Sequence, residues 1–338
     1  MRTSISILIK VALFASLFIY FSCKKETDNK PNPNPIDTTE NPIDSTKQIS
    51  GDSLRMDSII KVVQQMVKDS LRMDSIFNVG EQMVKEDCQI DNEIEDIAGM
   101  QDEIMIKGGI NFGRIAADTI RFKYESCADV KVVPKTTISS GLVIVDFGSG
   151  CKSQNDQRIR KGIVMWTYTQ KLHEKGAVLE TRFVNYKVKR NSNSDSAIFE
   201  NSCAITTTNL DTNSTGFILK REILLDISYG DGSTFSTQGT QNLAVSLGEI
   251  AFKWDNTSIL KQGSSLSGKD RKGKTFTKTA TTDIVRKGDC AIAGKFRPFS
   301  GIMTYQEAAS TRTVNFGTGS CVGDVITTMN GKTKKSFW

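Results

Sequence analysis

The chain has 338 residues, 24% of them charged, with a formal net charge of +6 and a single histidine, His173. One histidine excludes a metal site built from several histidines, and it excludes a Ser- or Cys-dependent catalytic triad unless His173 itself takes part. His173 lies in a polar stretch that supplies no positioned partner for a general base, so we expect a solvated loop residue. No cofactor or metal ion is expected from the sequence.

Residues 1–22 have the features of a signal peptide. Arg2 and Lys10 precede or border a run of 11 residues, 11–21, that is apolar except for Ser16 and is too short to span a membrane. The sequence that ends at Cys23 resembles a bacterial lipobox. The resemblance implies that Cys23 becomes the mature N-terminus and carries acyl chains, which would hold the protein on a membrane without spanning it. The alternative is a cleaved secretory signal with a coincidental cysteine.

Residues 23–50 are predicted to be the lipid anchor followed by a disordered tether. The segment holds four of the six prolines and a degenerate repeat, NPIDTTE at 34–40 and NPIDSTK at 41–47. With so little apolar material the segment cannot offset the entropy of ordering. Extended in a polyproline-like state, such a tether reaches on the order of 80 Å.

Residues 51–105 are predicted to be helical. Asp52–Lys68 (DSLRMDSIIKVVQQMVK) and Asp69–Lys85 (DSLRMDSIFNVGEQMVK) are identical at 13 of 17 positions, and their apolar residues recur at steps of three and four. We expect two or three helical segments, with a break at Gly80 or near Cys88. Packing of these helices on each other or on the next domain is favoured, because a coiled-coil oligomerisation stalk needs three or four sustained heptads.

Charge is distributed unevenly between the helical segment and the rest of the chain. Residues 51–105 hold 5 Lys/Arg against 13 Asp/Glu, whereas residues 106–338 hold 33 Lys/Arg against 20 Asp/Glu. The helical segment is therefore acidic and the remainder basic.

Residues 106–338 are predicted to form a mainly β domain. The sequence does not decide whether this region is one domain or is divided into two halves. Short runs rich in Val, Ile, Thr, Phe and Tyr alternate with turn signals, which is typical of an antiparallel sandwich or open barrel. The strand candidates are Ile163–Thr169, Thr181–Val188, Ala204–Thr208, Phe217–Ser228, Leu243–Leu247, Ile250–Trp254 and Thr275–Ile284. The turn candidates are Asn191–Asp195, Gly230–Gly232, Gly268–Gly273 and Asn330-Gly331.

One pattern, a cysteine that opens a strand followed by a strand ending in Phe-Gly-x-Gly and a cysteine, occurs twice in this domain. If each copy is an antiparallel hairpin, its two cysteines lie side by side. Six cysteines remain after Cys23, an even number that suggests disulfides in an exported protein. The expected pairs are Cys127 with Cys151, Cys290 with Cys321 and, by elimination only, Cys88 with Cys203.

The β domain resembles that of a group of uncharacterised Bacteroidetes lipoproteins. The likeness rests on Asp146–Cys151 (DFGSGC), the basic segment Arg158–Gly162, the aromatic strand Ile163–Tyr168 and a second Phe-Gly-x-Gly-Cys module that precedes Asn330-Gly331, where Ser320 is an additional residue. It covers roughly residues 120–338. The resemblance implies a lipid-anchored protein of the outer membrane and does not distinguish its periplasmic face from the cell surface. It implies no particular chemistry.

Two kinds of surface are candidates for binding. Trp166 and Tyr168 alternate on one strand face and would form an aromatic platform for sugar rings, although core packing is the favoured interpretation. The basic clusters 158–161 (RIRK) and 269–274 (KDRKGK) would meet an anionic glycan, although solvated hairpin tips are the favoured interpretation. No nucleic-acid partner is expected for an exported protein.

The sequence gives weaker indications of catalysis than of binding. The two Phe-Gly-x-Gly turns lack the helix that a phosphate-binding loop requires, so tight turns beside disulfides are expected. Paired carboxylates would support a polysaccharide hydrolase, but the aspartates considered occupy turn or strand-end contexts. These aspartates are Asp146, Asp226, Asp231 and Asp324.

The sequence therefore predicts a membrane-anchored cell-envelope lipoprotein with a non-catalytic binding or structural role, its partners being the membrane and a glycan or another envelope polymer. The alternative is a hydrolase that uses paired carboxylates. No catalytic residue is assigned.

Overall fold

The structure is a computed structural model, and it divides the chain into two compact units, residues 1–65 and residues 66–338. The residues that the structure describes are 45–107, 120–124, 127–134, 140–153, 157–171, 174–189, 195–213, 215–246, 257–287, 290, 298–308, 310–319, 321 and 323–337.

The predicted helical segment is one continuous helix, α1, Ser45–Lys107. The expected break at Gly80 or near Cys88 was wrong. A single glycine inside a helix costs only about 1 kcal/mol, which the packing of the neighbouring turns offsets. The glycine also has a packing role, because a Cβ atom at Gly80 would lie 2.2 Å from Cζ of Arg312.

The described part of the second unit contains eighteen strands in a single antiparallel sheet. They are β1 Ile120–Tyr124, β2 Ala128–Pro134, β3 Gly141–Asp146, β4 Cys151–Lys152, β5 Ile159–Tyr168, β6 Val178–Lys189, β7 Ser196–Phe199, β8 Ala204–Asn213, β9 Gly216–Tyr229, β10 Thr234–Ser246, β11 Thr257–Leu260, β12 Ser265–Lys269, β13 Thr275–Ala280, β14 Ile284–Lys287, β15 Ser300–Glu307, β16 Ser310–Thr318, β17 Asp324–Met329 and β18 Lys332–Phe337.

The sheet follows the chain from one edge to the other. The main path of neighbours runs β1, β2, β3, β5, β6, β8, β9, β10, β12, β13, β15, β16, β17 and β18. Short strands continue this path where a main strand is interrupted: β4 beside β5, β7 between β6 and β9, and the pair β11 and β14 beside β10 and β15. The predicted class, mainly antiparallel β preceded by a helix, is confirmed.

Three of the seven strand candidates lie within observed strands, namely Thr181–Val188, Ala204–Thr208 and Phe217–Ser228, and the candidates Ile163–Thr169 and Leu243–Leu247 each extend one residue past the ends of β5 and β10. The candidate Thr275–Ile284 is divided at 281–283 into β13 and β14, whereas Ile250–Trp254 lies outside the described residues. The Asn330-Gly331 turn joins β17 and β18 with φ values of 50° and 74°, the double positive φ of a type I′ hairpin turn.

The two Phe-Gly-x-Gly turns share one local structure. In the first, the Asp146 carboxylate accepts a hydrogen bond from the backbone N–H of Gly148 at 2.8 Å; in the second, Asn315 Oδ1 accepts one from Gly317 at 2.8 Å. Both glycines have positive φ, 57° and 96°, which a residue with a side chain rarely adopts. Because the side chain before each turn already binds this N–H, the turns are structural, as expected, and are followed by strand or loop.

The sheet curves around the C-terminal half of α1. Asp91 and Glu93 project about 160° apart on a helix, and they contact β13 and β5, respectively. These strands are six strand-to-strand steps apart, roughly 29 Å in a flat sheet, whereas a helix is only about 10–12 Å across. The strands therefore reach both sides of the helix only because the sheet is curved, and among residues 87–105 only Gln89 is exposed.

The core lies between this helix and the concave face of the sheet. Ile90, Ile94, Ile97 and Ile104 are each at most 4% exposed and belong to one cluster with the inward side chains of the sheet. A group of aromatic rings with centroids 5.0–5.9 Å apart fills the region near β6 and β7, namely Phe147, Phe183, Tyr186 and Phe199. Burial of such rings supplies much of the stabilisation of a core.

Two disulfides join the cysteines of the twin motifs, as predicted. Cys127 is bonded to Cys151 and Cys290 to Cys321, with Cα separations of 5.5 and 5.2 Å. Cys290 itself has helical rather than strand conformation, and residues 291–297 lie outside the described part.

The third expected disulfide was wrong, because Cys88 and Cys203 are both buried free thiols. Cys88 lies on α1 close to Arg286 of β14, whereas the Cys203 thiol donates to the backbone carbonyl of Asp226 in β9 at 3.0 Å. Pairing by elimination assumed that an even cysteine count is fully oxidised. Here two cysteines instead serve as small core residues.

These two thiols are expected to be unreactive in the native protein. Burial raises the pKa of Cys203 to about 11 and raises that of Cys88 further, so little reactive thiolate forms at neutral pH. Alkylation at pH 8 followed by peptide mass mapping should modify Cys88 and Cys203 only after denaturation. Modification of either peptide in the folded protein at the rate of an unfolded thiol would contradict the buried placement.

Candidate functional site

The interior of the curved sheet is charged as well as apolar. The first of two charged clusters in this interior is centred on Glu93 of α1, which is 1% exposed. Arg158 Nη1 donates to Glu93 Oε2 at 2.5 Å, Arg160 Nε donates to Glu93 Oε1 at 3.1 Å, and the Tyr186 hydroxyl donates to Glu93 Oε1 at 2.5 Å. Asp96 also accepts from Arg158 at 2.6 Å. Both carboxylates thus face two arginines from the sheet.

A second cluster surrounds Lys278 of β13, which is 3% exposed. Its ammonium donates to Asp87 at 2.7 Å and to Asp91 at 2.9 Å. The Tyr305 hydroxyl donates to the second oxygen of Asp87 at 2.7 Å, and Arg286 lies 3.1 Å from Asp91. Two carboxylates are therefore balanced by two cations in a largely buried region.

Further pairs extend the same arrangement along the helix. Arg221 of β9, 2% exposed, donates to Glu95 at 2.8 Å, and Gln101 donates to Thr181 of β6 at 2.7 Å. Every one of these contacts joins an acidic or amide side chain of α1 to a basic or hydroxyl side chain of the sheet. This complementarity accounts for the acidic helix and the basic domain seen in the sequence.

The pKa values follow from burial and pairing. Burial alone would raise the pKa of Glu93, but Arg160 and Arg158 outweigh it and hold this pKa below its ordinary value; Lys278 and Arg286 do the same for Asp91. For Asp87, burial prevails over the attraction of Lys278 and, with Asp91 nearby, the pKa is raised. Burial also opposes the charge on Lys278, yet Asp87 and Asp91 raise its pKa.

Perturbed pKa values often mark active sites, but these groups face one another and are 1–6% exposed. A substrate would have to displace the helix to reach them. Among the residues that the structure describes, no group of three or more His, Cys, Asp or Glu side chains is arranged to hold a metal ion. The charged interior is therefore a structural core.

Several of the predicted binding residues belong to this core. Trp166 and Tyr168 are 0% and 2% exposed, which agrees with the favoured interpretation of core packing, and the alternative of an aromatic platform was wrong: β5 directs these rings toward the concave face. Arg158 and Arg160 likewise point inward to Glu93, and only Lys161 of that cluster is exposed. A solvated tip or a glycan contact was therefore wrong for the two arginines.

The second basic cluster, 269–274, spans the end of β12 and the β12–β13 turn. Lys269, Lys272 and Lys274 are exposed, whereas Arg271 pairs with Asp231 at 2.7 Å and lies 3.9 Å from the centroid of the Tyr229 ring. This cluster is therefore a hairpin tip whose arginine is engaged within the domain. Cys23, His173 and Trp254 lie outside the described residues.

A groove with a volume of about 610 Å³, lined by both polar and apolar side chains, lies across β9, β10, β12, β13 and β15. Its floor is one row of consecutive cross-strand neighbours on the convex face, listed from β9 to β15: Leu224, Gln238, Ser267, Thr277 and Gln306. All five are exposed. The row covers four interstrand steps, roughly 19 Å, and this volume is in the range of small-molecule and saccharide sites.

The rows of side chains on both sides of this floor are also mainly polar. One flanking row holds Asp226, Ser236, Lys269 and Thr275. On the same face of the sheet, the row that flanks the other side of the floor carries a hydroxyl side chain on each of seven neighbouring strands. These residues are Thr240, Ser265, Thr279, Thr304, Thr313, Thr328 and Thr333. Amide and hydroxyl groups both donate and accept hydrogen bonds, so the surface is suited to a polyhydroxylated ligand.

The carboxylates that line the groove do not form a hydrolytic pair. Asp226 lies on β9 and Glu307 on β15, four interstrand steps apart, about 19 Å. Glycosidases place their two carboxyl groups about 5–9.5 Å apart. Glu307 is also engaged with Arg312 at 3.0 Å. Asp146 and Asp231 accept hydrogen bonds within their own turns, as expected for aspartate in such contexts.

The groove residues were not identified from the sequence. Gln238, Ser267, Thr277 and Gln306 carry no motif, and only the register of five strands brings them together. For the buried clusters a signal did exist, because the charge imbalance between residues 51–105 and the β domain indicated electrostatic complementarity without indicating the partners.

No family model, no curated protein and no solved structure matches this chain. Among the residues that the structure describes, no helix has both the length and the apolar character required to cross a membrane.

Replacing Glu93 with Gln should lower the free energy of unfolding by about 3–5 kcal/mol, because Arg158 and Arg160 would lose a buried counter-charge. The matched control is Glu180→Gln on the same sheet, where the pair with Arg182 is exposed and the expected loss is at most about 0.5 kcal/mol. Urea unfolding monitored by circular dichroism measures both. Equal losses in the two variants would contradict a buried network.

Stability should also fall in acid. The lowered pKa values of Glu93 and Asp91 mean that their stabilisation is present above the ordinary carboxyl pKa and is lost as pH falls below about 4, through their folded values. Asp87 has a raised pKa and therefore the opposite effect: its ionisation lowers stability at higher pH, and this loss is relieved as pH falls. Thermal unfolding between pH 2.5 and 7 should show a shallower acid loss in Glu93→Gln than in the wild type, and identical profiles would contradict the assignment.

Proposed function

We propose that this chain is a lipid-anchored cell-envelope protein with a non-catalytic binding role, and that its ligand is a glycan held in the groove on the convex face of the sheet. The observation that supports this proposal is the register-aligned row of Gln238, Ser267, Thr277 and Gln306 on the surface of a sheet whose concave side is filled by its own helix.

The chemistry of the groove favours a saccharide chain. Its amide and hydroxyl groups match the hydroxyl groups of sugars, and Leu224, 43% exposed, offers an apolar contact for the C–H face of a ring. Lys269 and Asp226 border the groove with opposite charges, so it carries no single sign of charge. A neutral or zwitterionic polymer fits this balance better than a strongly anionic one.

The alternative of a hydrolase receives no support from the described groove, because its carboxylates are too far apart for acid–base cooperation. A binding role requires only the polar row and a rigid sheet beneath it. The lipid anchor at Cys23 remains part of the proposal from the sequence, together with the tether, whose predicted end at residue 50 was wrong because α1 already begins at Ser45. They would place the β domain beside the envelope polymers of an outer membrane.

The groove is tested by the double substitution Gln238→Ala and Gln306→Ala. Two lost hydrogen bonds of about 1 kcal/mol each weaken binding roughly 30-fold. The measurement is retention of the purified protein on immobilised peptidoglycan, lipopolysaccharide and neutral glucan. The control Gln262→Ala removes an exposed glutamine side chain from the β11–β12 turn outside the groove.

Retention that is equal in the double variant and the control would place any glycan site elsewhere. No retention of the wild type on any of the three polymers would leave the groove without a glycan ligand and contradict the proposal.

The anchor is tested separately by replacing Cys23 with Ser. Without a thiol to acylate, the protein should move from the membrane fraction to the soluble fraction, because stable anchoring requires at least two acyl chains. Fractionation followed by immunoblotting measures this change. Unchanged membrane association of the Cys23→Ser protein would contradict lipidation at this residue.

A further inference from the structure

Four lysine side chains lie together on the convex face of the sheet, on β4, β5 and β6. Lys161 of β5 is the direct cross-strand neighbour of Lys187 of β6. Ile159 of β5 has Lys152 of β4 on one side and Lys189 of β6 on the other. All four lysines are exposed except Lys189, which is half-buried. Their α-carbons span two interstrand steps and two residues along a strand, about 10 by 7 Å, and they are called the lysine cluster below.

The lysine cluster has no counter-ion in the part of the chain that the structure describes. None of its four members forms an ion pair with a described residue. Their outward neighbours on β7, Ser196 and Ile198, carry no charge. Like charges directly opposite each other on neighbouring strands are destabilising. The described fold therefore leaves a repulsion between Lys161 and Lys187 that an external anion would relieve.

Covalent and buried contacts fix the position of the cluster. Lys152 directly follows Cys151, which belongs to the first disulfide. Lys161 directly follows Arg160, whose guanidinium binds Glu93 in the core. The backbones that carry the lysines are therefore held in place, and only the side chains need to adapt to a ligand.

We propose that the lysine cluster binds the phosphate groups of an anionic lipid bilayer. Lysine is a common phosphate-binding side chain, and its ammonium donates hydrogen bonds to phosphate oxygens. Each lysine held near an anionic membrane strengthens the attraction roughly fivefold, so four acting together produce a strong preference for such a surface. This inference rests on the lipid anchor of the proposed function and is independent of the glycan groove.

The shape of the cluster favours a bilayer over a small soluble phosphate. Its residues lie on the open convex surface, and they line neither the groove nor the smaller cavity of about 280 Å³ beside Arg271. An anion on an open surface keeps most of its water, whereas a bilayer offers many phosphates to the four lysines at once. Half-buried Ile159 and Ile198 add apolar contacts suited to the headgroup boundary. An anchor at Cys23 would keep such a bilayer within reach.

The basic cluster 269–274 provides a comparison within the same protein. It presents Lys269, Lys272 and Lys274 to solvent, but an acidic residue lies among them. The Asp270 carboxylate accepts hydrogen bonds from the backbone N–H groups of Lys272 and Lys274 at 2.9 and 2.8 Å. This turn therefore has a lower density of positive charge, and we expect its lysines to remain accessible.

Lysine acetylation followed by mass spectrometry tests the proposal in the full chain purified from membranes. The protein is incorporated into vesicles of phosphatidylcholine alone or mixed with phosphatidylglycerol. On the anionic vesicles Lys161 and Lys187 should react at least about fivefold more slowly than on the neutral ones. Lys272 and Lys274 should react at equal rates on both. About 0.5 M NaCl should remove the protection, because salt screens exposed charges.

A double variant separates binding from folding. Lys161→Gln with Lys187→Gln should abolish the protection of Lys152 and Lys189, while the unfolding temperature stays the same or rises because the opposed charges are gone. The matched control, Lys272→Gln with Lys274→Gln, should leave the protection of the lysine cluster unchanged.

Three results would each overturn the proposal: equal acetylation on the two kinds of vesicle, protection that persists in the double variant, or equal protection on neutral vesicles after addition of inorganic phosphate. The last would identify a soluble phosphate as the ligand. Protein that sediments only with anionic vesicles would contradict the anchor and support the lysine cluster. Protein that sediments with neither kind would contradict both.

Discussion

The fold depends on the pairing of buried carboxylates on α1 with arginine and lysine side chains on the concave face of the sheet. Moving an ion out of water costs several kcal/mol, and only a well-placed counter-ion offsets this cost. Glu93 between Arg158 and Arg160, and Lys278 between Asp87 and Asp91, meet that condition. Neither the helix nor the sheet is a complete structure alone, because each would retain unpaired charges.

This pairing determines which face of the sheet is open to a ligand. The concave face, which in other curved sheets holds ligands, is filled here by a helix of the same chain. The proposed ligand is therefore assigned to the convex face, where hydroxyl and amide side chains are aligned across strands.

The sequence predicts local features well and long-range pairing poorly. The type I′ signal at Asn330-Gly331 and the twin Phe-Gly turns are correct because they depend on residues next to one another. Arg160 was misassigned, since arginine at an inward strand position looks like a surface residue until its carboxylate partner, 67 residues away, is known. The groove depends on the register of five strands, and a slip of one residue would reverse which face it occupies.

The central claim is that residues 87–105 of α1 are the core of the β domain rather than an appendage. Native-state hydrogen exchange with peptide-resolved mass spectrometry tests it most directly. The amides of residues 87–105 should exchange as slowly as those of β9 and β10, through global unfolding, whereas residues 58–65 should exchange faster by local opening. Exchange of residues 87–105 well before the strands would contradict the claim, because the helix would then detach from an intact sheet.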